Sequence, residues 1–327
     1  MRERNFAYAV GRIRALETKL FDRTRLERLS EANSLQEALS GLSETEYGPA
    51  IANLKNPTQF ELALNNELAR VVKLLLDLAD DAPELRVFIY RYDLQNLKVI
   101  LKTINSEPTG LSRLGYWSPE WLLQKVHEND LTELPALFRD AYEQAKEAFK
   151  ATGDTQEIDR IIDAVGFDYG YHTLKNGISD LLLNWWIALI DLTNIRTFIR
   201  LRFIGLGFAE FSRFFITNGI LDLGDFKELW DQPNEKVTAW LGNTVYSKLL
   251  TDGPATLNSL TQLERESDNF LINLIEPAKM ISLGIEPLVG YLLAKENEVK
   301  LLRIILVGKA NQLSNPEIKE RLRRAYA

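Results

Sequence analysis

At 327 residues, 46% apolar and 26% charged, the chain carries material for two or three hydrophobic cores and lies far from disordered or collagen-like compositions. Its formal charge of -7 argues against a general nucleic-acid binder and disfavours anionic lipid, because both need a basic surface. The absence of cysteine removes disulfides, thiolate zinc clusters and thiol nucleophiles together, and leaves the cytoplasm as the default compartment.

The start, "MRERNFAYAVGRIRALETKLF", is charged throughout and has no apolar run before a small-residue cleavage site, so it does not read as a secretory signal. From there, segments rich in Leu, Ala, Glu, Lys and Arg place apolar residues three or four apart, with short Pro, Gly, Asn and Asp punctuation between them. Strand alternation is nowhere sustained. The pattern predicts about fifteen helices and no sheet, an all-α chain.

Start signals recur in order. Ser34 in "EANSLQEAL" and Asp130 in "HENDLTEL" are matching cap candidates, and Thr58-Gln59, Thr155-Gln156 and Thr261-Gln262 each open a helix. Ser118 precedes Pro119-Glu120. Near the end Asn315 is placed to cap a helix whose first turn takes Pro316 and Glu317. The greasiest stretch, "LLLNWWIALI" (181–190), is about half of a bilayer span and contains Asn184, so no membrane crossing is expected.

Self-similarity organises the chain. Asp93-Leu94-Gln95-Asn96-Leu97-Lys98 aligns with Asp191-Leu192-Thr193-Asn194-Ile195-Arg196 at an offset of 98, the pattern D-L-x-N-aliphatic-base. A further 104 residues reach Lys295-Glu296-Asn297-Glu298-Val299-Lys300, which keeps the aliphatic and basic positions and loses the acid and first amide. The Thr-Gln pairs stand about 35 residues before each copy, and Leu42/Tyr47, Leu137/Tyr142 and Leu241/Tyr246 repeat one five-residue spacing. Three helical repeats follow, at 1–107, 108–207 and 208–327, with breaks near "NSEPTG" (105–110) and Gly205 to Glu210.

Within the repeated helix, positions 94, 97, 101 and 104 share one apolar stripe, while Asp93 and Asn96 lie on a second and Lys98 on a third. That separation argues against one catalytic cluster. Asp93, Asn96, Lys98, Asp191, Asn194, Arg196, Glu298 and Lys300 are instead candidates for an inter-helix hydrogen-bond network or for a docking socket.

Enzyme leads are few. Asp77, Asp80 and Asp81 have a spacing able to hold Mg²⁺, but Pro83 discourages helix through them and no second acidic motif completes a cage. "GLGFAE" (205–210) follows a helix and ends in Glu where a dinucleotide loop needs glycine, and "VGKA" (307–310) lacks the other parts of a phosphate loop. His127 and His172 are too far apart in sequence to suggest a pair, so surface or packing roles are expected. The six tryptophans fall in the second and third repeats and suit core packing or a partner-facing rim. No metal or cofactor is expected.

Taken in order, "NFAYAVGRIRALETKLF", "LSETEYG" (42–48), "YRYDLQNLKVILK", "DLTNIRTFIRLR" and "GYLLAKENEVKLLRIILVGKANQL" resemble the C subunit of prokaryotic V-type (A-type) ATPases, the relative of the eukaryotic d subunit. The resemblance spans nearly the whole chain. It implies a funnel of three similar helical domains with pseudo-threefold symmetry, non-catalytic, placed in the central rotor on the cytoplasmic face of the membrane. The implied partners are the D and F subunits of the shaft and the membrane proteolipid ring, with torque carried between them for proton or sodium transport. Lys98, Arg196 and Lys300 would then reinforce a positive socket beside open helix N-termini. Alternatives are a generic helical-repeat scaffold for partner peptides and an all-α Mg²⁺ enzyme using Asp77, Asp80 and Asp81.

Overall fold

Seventeen α-helices and three short 3₁₀ turns, with no strand, make up the described part of a computed structural model covering residues 6–79, 81–103 and 106–327, Pro254 by its backbone only. In chain order the helices are α1 (Ala7–Glu17), α2 (Arg23–Ser30), α3 (Leu35–Ser40), α4 (Gly48–Ala52), α5 (Phe60–Ala79), α6 (Pro83–Lys102), α7 (Pro119–His127), α8 (Ala136–Thr152) and α9 (Thr155–Lys175). They continue as α10 (Asp180–Phe203), α11 (Phe208–Phe214), α12 (Leu223–Leu229), α13 (Asn234–Gly242), α14 (Pro254–Asn258), α15 (Leu260–Ile275), α16 (Glu286–Ala310) and α17 (Asn315–Arg321).

Side-chain oxygens set many of the starts. Ser34, Ser118, Asp154, Ser179 and Ser259 each accept a backbone N–H of the first helical turn, satisfying donors that the helix leaves open. Two expected caps differ. Asp130 caps no helix, because Pro135 opens α8 five residues on; its carboxylate instead accepts the Thr132 N–H and hydroxyl within a turn. Asn315 is the first residue of α17, one place late for the cap. Ser314 forms a reciprocal capping box with Glu317, and the Asn315 side chain takes the Lys309 ammonium at 2.6 Å.

The chain divides into two compact units, Met1–Asp80 with Asp231–Ala327, and Asp81–Trp230. At the centre of the first is α16, buried from Pro287 to Val299 with only Glu296 partly exposed. A helix buried on every side needs neighbours on every side. Here α1, α2, α3, α5, α15 and α17 supply them, with Ile13, Leu26, Leu64, Val71 and Leu75 among the buried side chains. The stretch from α13 through α14 to α15 packs along the chain on Val237, Leu241, Tyr246 and Leu263.

In the second unit α9 lies between α6, α8 and α10. Leu94, Leu97, Leu101, Phe138, Ile158 and Ile162 form its core with Tyr90, whose ring meets Phe138 edge-on at 5.4 Å and stacks on Trp117 at 5.2 Å. Further along, Phe198 of α10 gathers Phe211, Phe226 and Trp230 within 5.2–5.6 Å. Trp185, Trp186 and Trp230 are buried; Trp117, Trp121 and Trp240 are half-buried. The equivalent Tyr47, Tyr142 and Tyr246 are all buried, whereas Leu137 of the matching leucines is exposed.

Candidate functional site

The repeated motif sits on α6, α10 and α16. Leu97, Ile195 and Val299, and Ile100, Phe198 and Leu302, are buried, so in each helix the apolar positions anchor the polar ones. Asp93 and Asn96 do not reach a neighbouring helix. They hold the loop that follows their own.

On α6, Asn96 and Ser112 exchange two hydrogen bonds: the Ser112 N–H donates to Oδ1 at 2.7 Å and Nδ2 donates to the Ser112 carbonyl at 2.8 Å. Four residues on, the Tyr116 and Trp117 N–H groups donate to the two Asp93 oxygens at 2.8 and 3.1 Å. A Cβ at Gly115 would overlap that carboxylate, so glycine is required for the loop to come so close. Burial pushes the Asp93 carboxyl up to about 7 against the opposing pull of the two N–H bonds.

On α10 the same clasp is built again. Asn194 exchanges bonds with Ile216 at 2.8 and 2.9 Å, and Asp191 accepts the N–H groups of Ile220 and Leu221 at 2.9 and 3.2 Å. Gly219 takes the place of Gly115, and a Cβ there would overlap Asp191. The recurring glycine, 22 residues after Asp93 and 28 after Asp191, was a signal present in the sequence.

On α16 the matching site is ionic. Glu298 accepts the Phe21 N–H at 2.6 Å and the Tyr47 hydroxyl at 2.7 Å, and pairs with Lys295 at 2.8 Å. Lys295 also reaches Glu67 at 3.3 Å, which Arg70 holds from the other side with two bonds of 2.7 and 2.9 Å. Lys295, Glu67, Glu298 and Tyr47 are buried, and burial beside Glu298 pushes the Tyr47 phenol well above its ordinary value. Sequence reasoning missed Lys295, Glu67 and Tyr47. Their signal was a lysine and a glutamate three apart in a helix with no polar face.

The basic positions tie each helix to another or to itself. Lys98 pairs with Asp163 on α9 at 2.7 Å, beside Lys102 and Asp159; Lys300 pairs with Asp268 on α15; Arg196 donates to the Leu192 carbonyl and the Thr193 hydroxyl. Arg303 and Glu61 join α16 to α5 as Lys102 and Asp159 join α6 to α9. Among the described residues, no group of three or more His, Cys, Asp or Glu is placed to hold a metal ion; Asp80 of the acidic trio lies outside them. His127 is exposed, and His172, also exposed, faces Asp168 at 3.3 Å.

Two helices that each hold a later loop by one clasp, α6 the loop that follows it and α10 the loop beyond α11, and a third that holds a distant segment at the matching position, make a framework of polar anchors. The family model described as ATP synthase (C/AC39) subunit matches residues 9–321. The chain belongs to this family. Members of the C/AC39 family are structural stalk subunits rather than catalytic ones. Among curated relatives, the chain is 27% identical to the C subunit of the A-type ATP synthase of Methanocaldococcus jannaschii, over 97% of this chain and 86% of that one. It is 29% identical to the C subunit of the V-type sodium ATPase of Enterococcus hirae, over 96% and 97% respectively. As a C/AC39 protein the chain contains, among its described residues, no helix long and apolar enough to cross a membrane.

Proposed function

We propose that this chain is a non-catalytic rotor component in the central stalk of a V/A-type ATPase, held peripherally on the cytoplasmic side of the membrane. It links the D and F subunits of the shaft to the proteolipid ring and transmits torque for ATP-coupled proton or sodium transport. The observation that carries this reading is the family match over residues 9–321, reinforced by two relatives, both C subunits, aligned over nearly the whole chain. Residues 1–107, 108–207 and 208–327 are, on this reading, three versions of one helical unit.

The physical case concerns stiffness. A torque carrier must not absorb twist, and close-packed helices with buried aromatics deform little. The loops after α6 and after α11 are held by four backbone hydrogen bonds each to buried side chains, which removes the compliance that long connections bring. Co-purification tests the reading: a tagged chain, extracted gently from membranes, is expected to bring shaft and ring subunits with it. Recovery of the chain alone, from membranes that hold an assembled ATPase, would overturn it.

A further inference from the structure

We propose that Asn176 is a site of self-modification. It cyclises onto the Gly177 nitrogen and hydrolyses to aspartate and isoaspartate, while Asn218, in the same Asn-Gly-Ile context, is protected by the clasp on α10. The reaction needs water alone and no partner subunit.

Two asparagines of the chain precede glycine, at 176 and 218, and isoleucine follows the glycine in both. Without a side chain, glycine leaves its peptide nitrogen open to the neighbouring amide. The Gly177 nitrogen gives its proton to solvent base and bonds to Asn176 Cγ; the Cγ–Nδ2 bond breaks, and ammonia leaves with a proton from water. Water then opens the five-membered imide at either carbonyl. Opening at Cγ gives aspartate, and opening at the main-chain carbonyl gives isoaspartate. Each ammonia released consumes one water, and no electrons change hands.

Ring closure requires the asparagine side chain to swing onto the next peptide, and that peptide to rotate. At Asn218 both are held. Its Nδ2 donates to Asp168 Oδ1 at 3.0 Å. On one side Ile216 exchanges two bonds with Asn194, and on the other the Ile220 and Leu221 N–H groups donate to Asp191. Gly219 lies so close to Asp191 that a Cβ there would overlap the carboxylate, which leaves the peptide no room to turn.

At Asn176 neither is held. The residue is exposed, and among the described residues its side chain has no hydrogen-bond partner. It is the C-cap of α9, and the attacking nitrogen makes one bond, Gly177 N–H to the Leu174 carbonyl at 3.1 Å. Helix ends are where such bonds open most readily. Isoaspartate would add one main-chain atom to residues 176–179, the whole connection between the packed helices α9 and α10. Gly177 already lies against Glu84 of α6, where a Cβ would stand 3.2 Å from Oε1, so the longer connection strains its neighbours.

The test holds the full-length chain in mildly alkaline, oxygen-labelled water and follows both peptides by mass spectrometry. Asn176 is expected to convert about tenfold faster than Asn218 or more, since each segment reacts in proportion to how often it opens. In urea the two should convert at one rate, because their sequence context is the same. Asp168→Ala and Asp191→Ala should each speed Asn218; an Asn218 rate unmoved by both overturns its protection by these contacts. Equal rates at the two sites in the folded chain overturn the proposal. So does an unreactive Asn176 in a chain whose urea control reacts at both sites. The isoaspartate form, separated from unreacted chain, is expected to melt at a lower temperature; melting at the same temperature would overturn the strain assigned to the connection.

Discussion

Glu298 accepts the Phe21 N–H across 277 residues of sequence, standing to it as Asn96 stands to Ser112 and Asn194 to Ile216. The segment that follows α16 in space is thus the beginning of the chain. This explains why the third motif lost its aspartate. The cap Ser118 lies six positions after Ser112, and the cap Asp222 six after Ile216, room for two more N–H groups to reach Asp93 or Asp191. Phe21 is followed at once by the cap Asp22. A carboxylate at position 295 would lack those donors, and a buried unsatisfied carboxylate is costly. Lysine occupies the position instead, answered by Glu67 and Glu298.

Breaking that cluster should unfold the first unit early. Glu298→Ala and Lys295→Met each leave buried charge without its partner, an effect of about 3–5 kcal/mol. Urea denaturation followed by circular dichroism measures it. The double variant should lose less than the sum of the two singles, by more than about 1 kcal/mol, because the residues share one network. Additive losses would mean that the pair does not act as a unit.

The two loop glycines make a sharper geometric test. Gly115→Ala and Gly219→Ala push a methyl into the Asp93 and Asp191 carboxylates, so each should cost about 2 kcal/mol or more through steric overlap and lost N–H bonds. Gly11→Ala, in the exposed part of α1 with open space around it, should go the other way by up to about 1 kcal/mol. Thermal melts of the three variants distinguish a required close approach from ordinary helix propensity.

Much of this was legible in the sequence. The all-helical class, the cap at Ser118 and the alignment of α6 with α10 follow from periodicity, hydroxyl-before-proline spacing and one offset of 98. What could not be read was where the polar residues of the motif point. Asp93 and Asn96 lie on a stripe apart from the apolar one, which is equally compatible with a bridge to a helix, a socket and a clasp on a loop. The connection from α10 to its clasped loop includes α11 and is longer than that from α6, so a fixed-offset comparison never set Gly115 against Gly219. The Glu298 site escaped for another reason: its partners Phe21 and Tyr47 are near the opposite end of the chain, and only packing of α16 against α2, α3 and α5 brings them there.

Asp93 predicts a pH dependence of unusual sign. Its carboxyl is raised in the folded unit to about 7, so folding favours the neutral form. That contribution is largest below the unfolded value near 4 and declines as pH rises to about 7, by something on the order of 4 kcal/mol. Glu157 behaves oppositely: hydrogen bonding from Arg160, then Arg213, holds it below the usual carboxylate range, so its contribution is present above about pH 4.5 and fades as pH falls below that. Tryptophan fluorescence of a Trp240→Phe background isolates the second unit, which holds the other five, Trp117, Trp121, Trp185, Trp186 and Trp230. Its urea midpoint should fall between pH 5 and pH 8, and Asp93→Asn should flatten that slope. A midpoint rising over this range in wild type would contradict the assignment.

The basic motif residues separate stability from docking. Lys98 and Lys300 each meet an aspartate of a neighbouring helix in the same unit, and Arg196 donates back to its own helix. Cations engaged in this way have little left to offer an incoming acidic loop, and partly exposed pairs are worth only about 0.2–1 kcal/mol each. Lys98→Ala, Arg196→Ala and Lys300→Ala combined should therefore lower the melting temperature by a few degrees, about 2–4 °C per kcal/mol for units of this size. Recovery of ATPase subunits by the tagged triple variant should be unchanged below that melting point. Lost recovery with an unaltered melting temperature would instead place these side chains on the partner-facing surface, since only there does their removal cost binding without costing the fold.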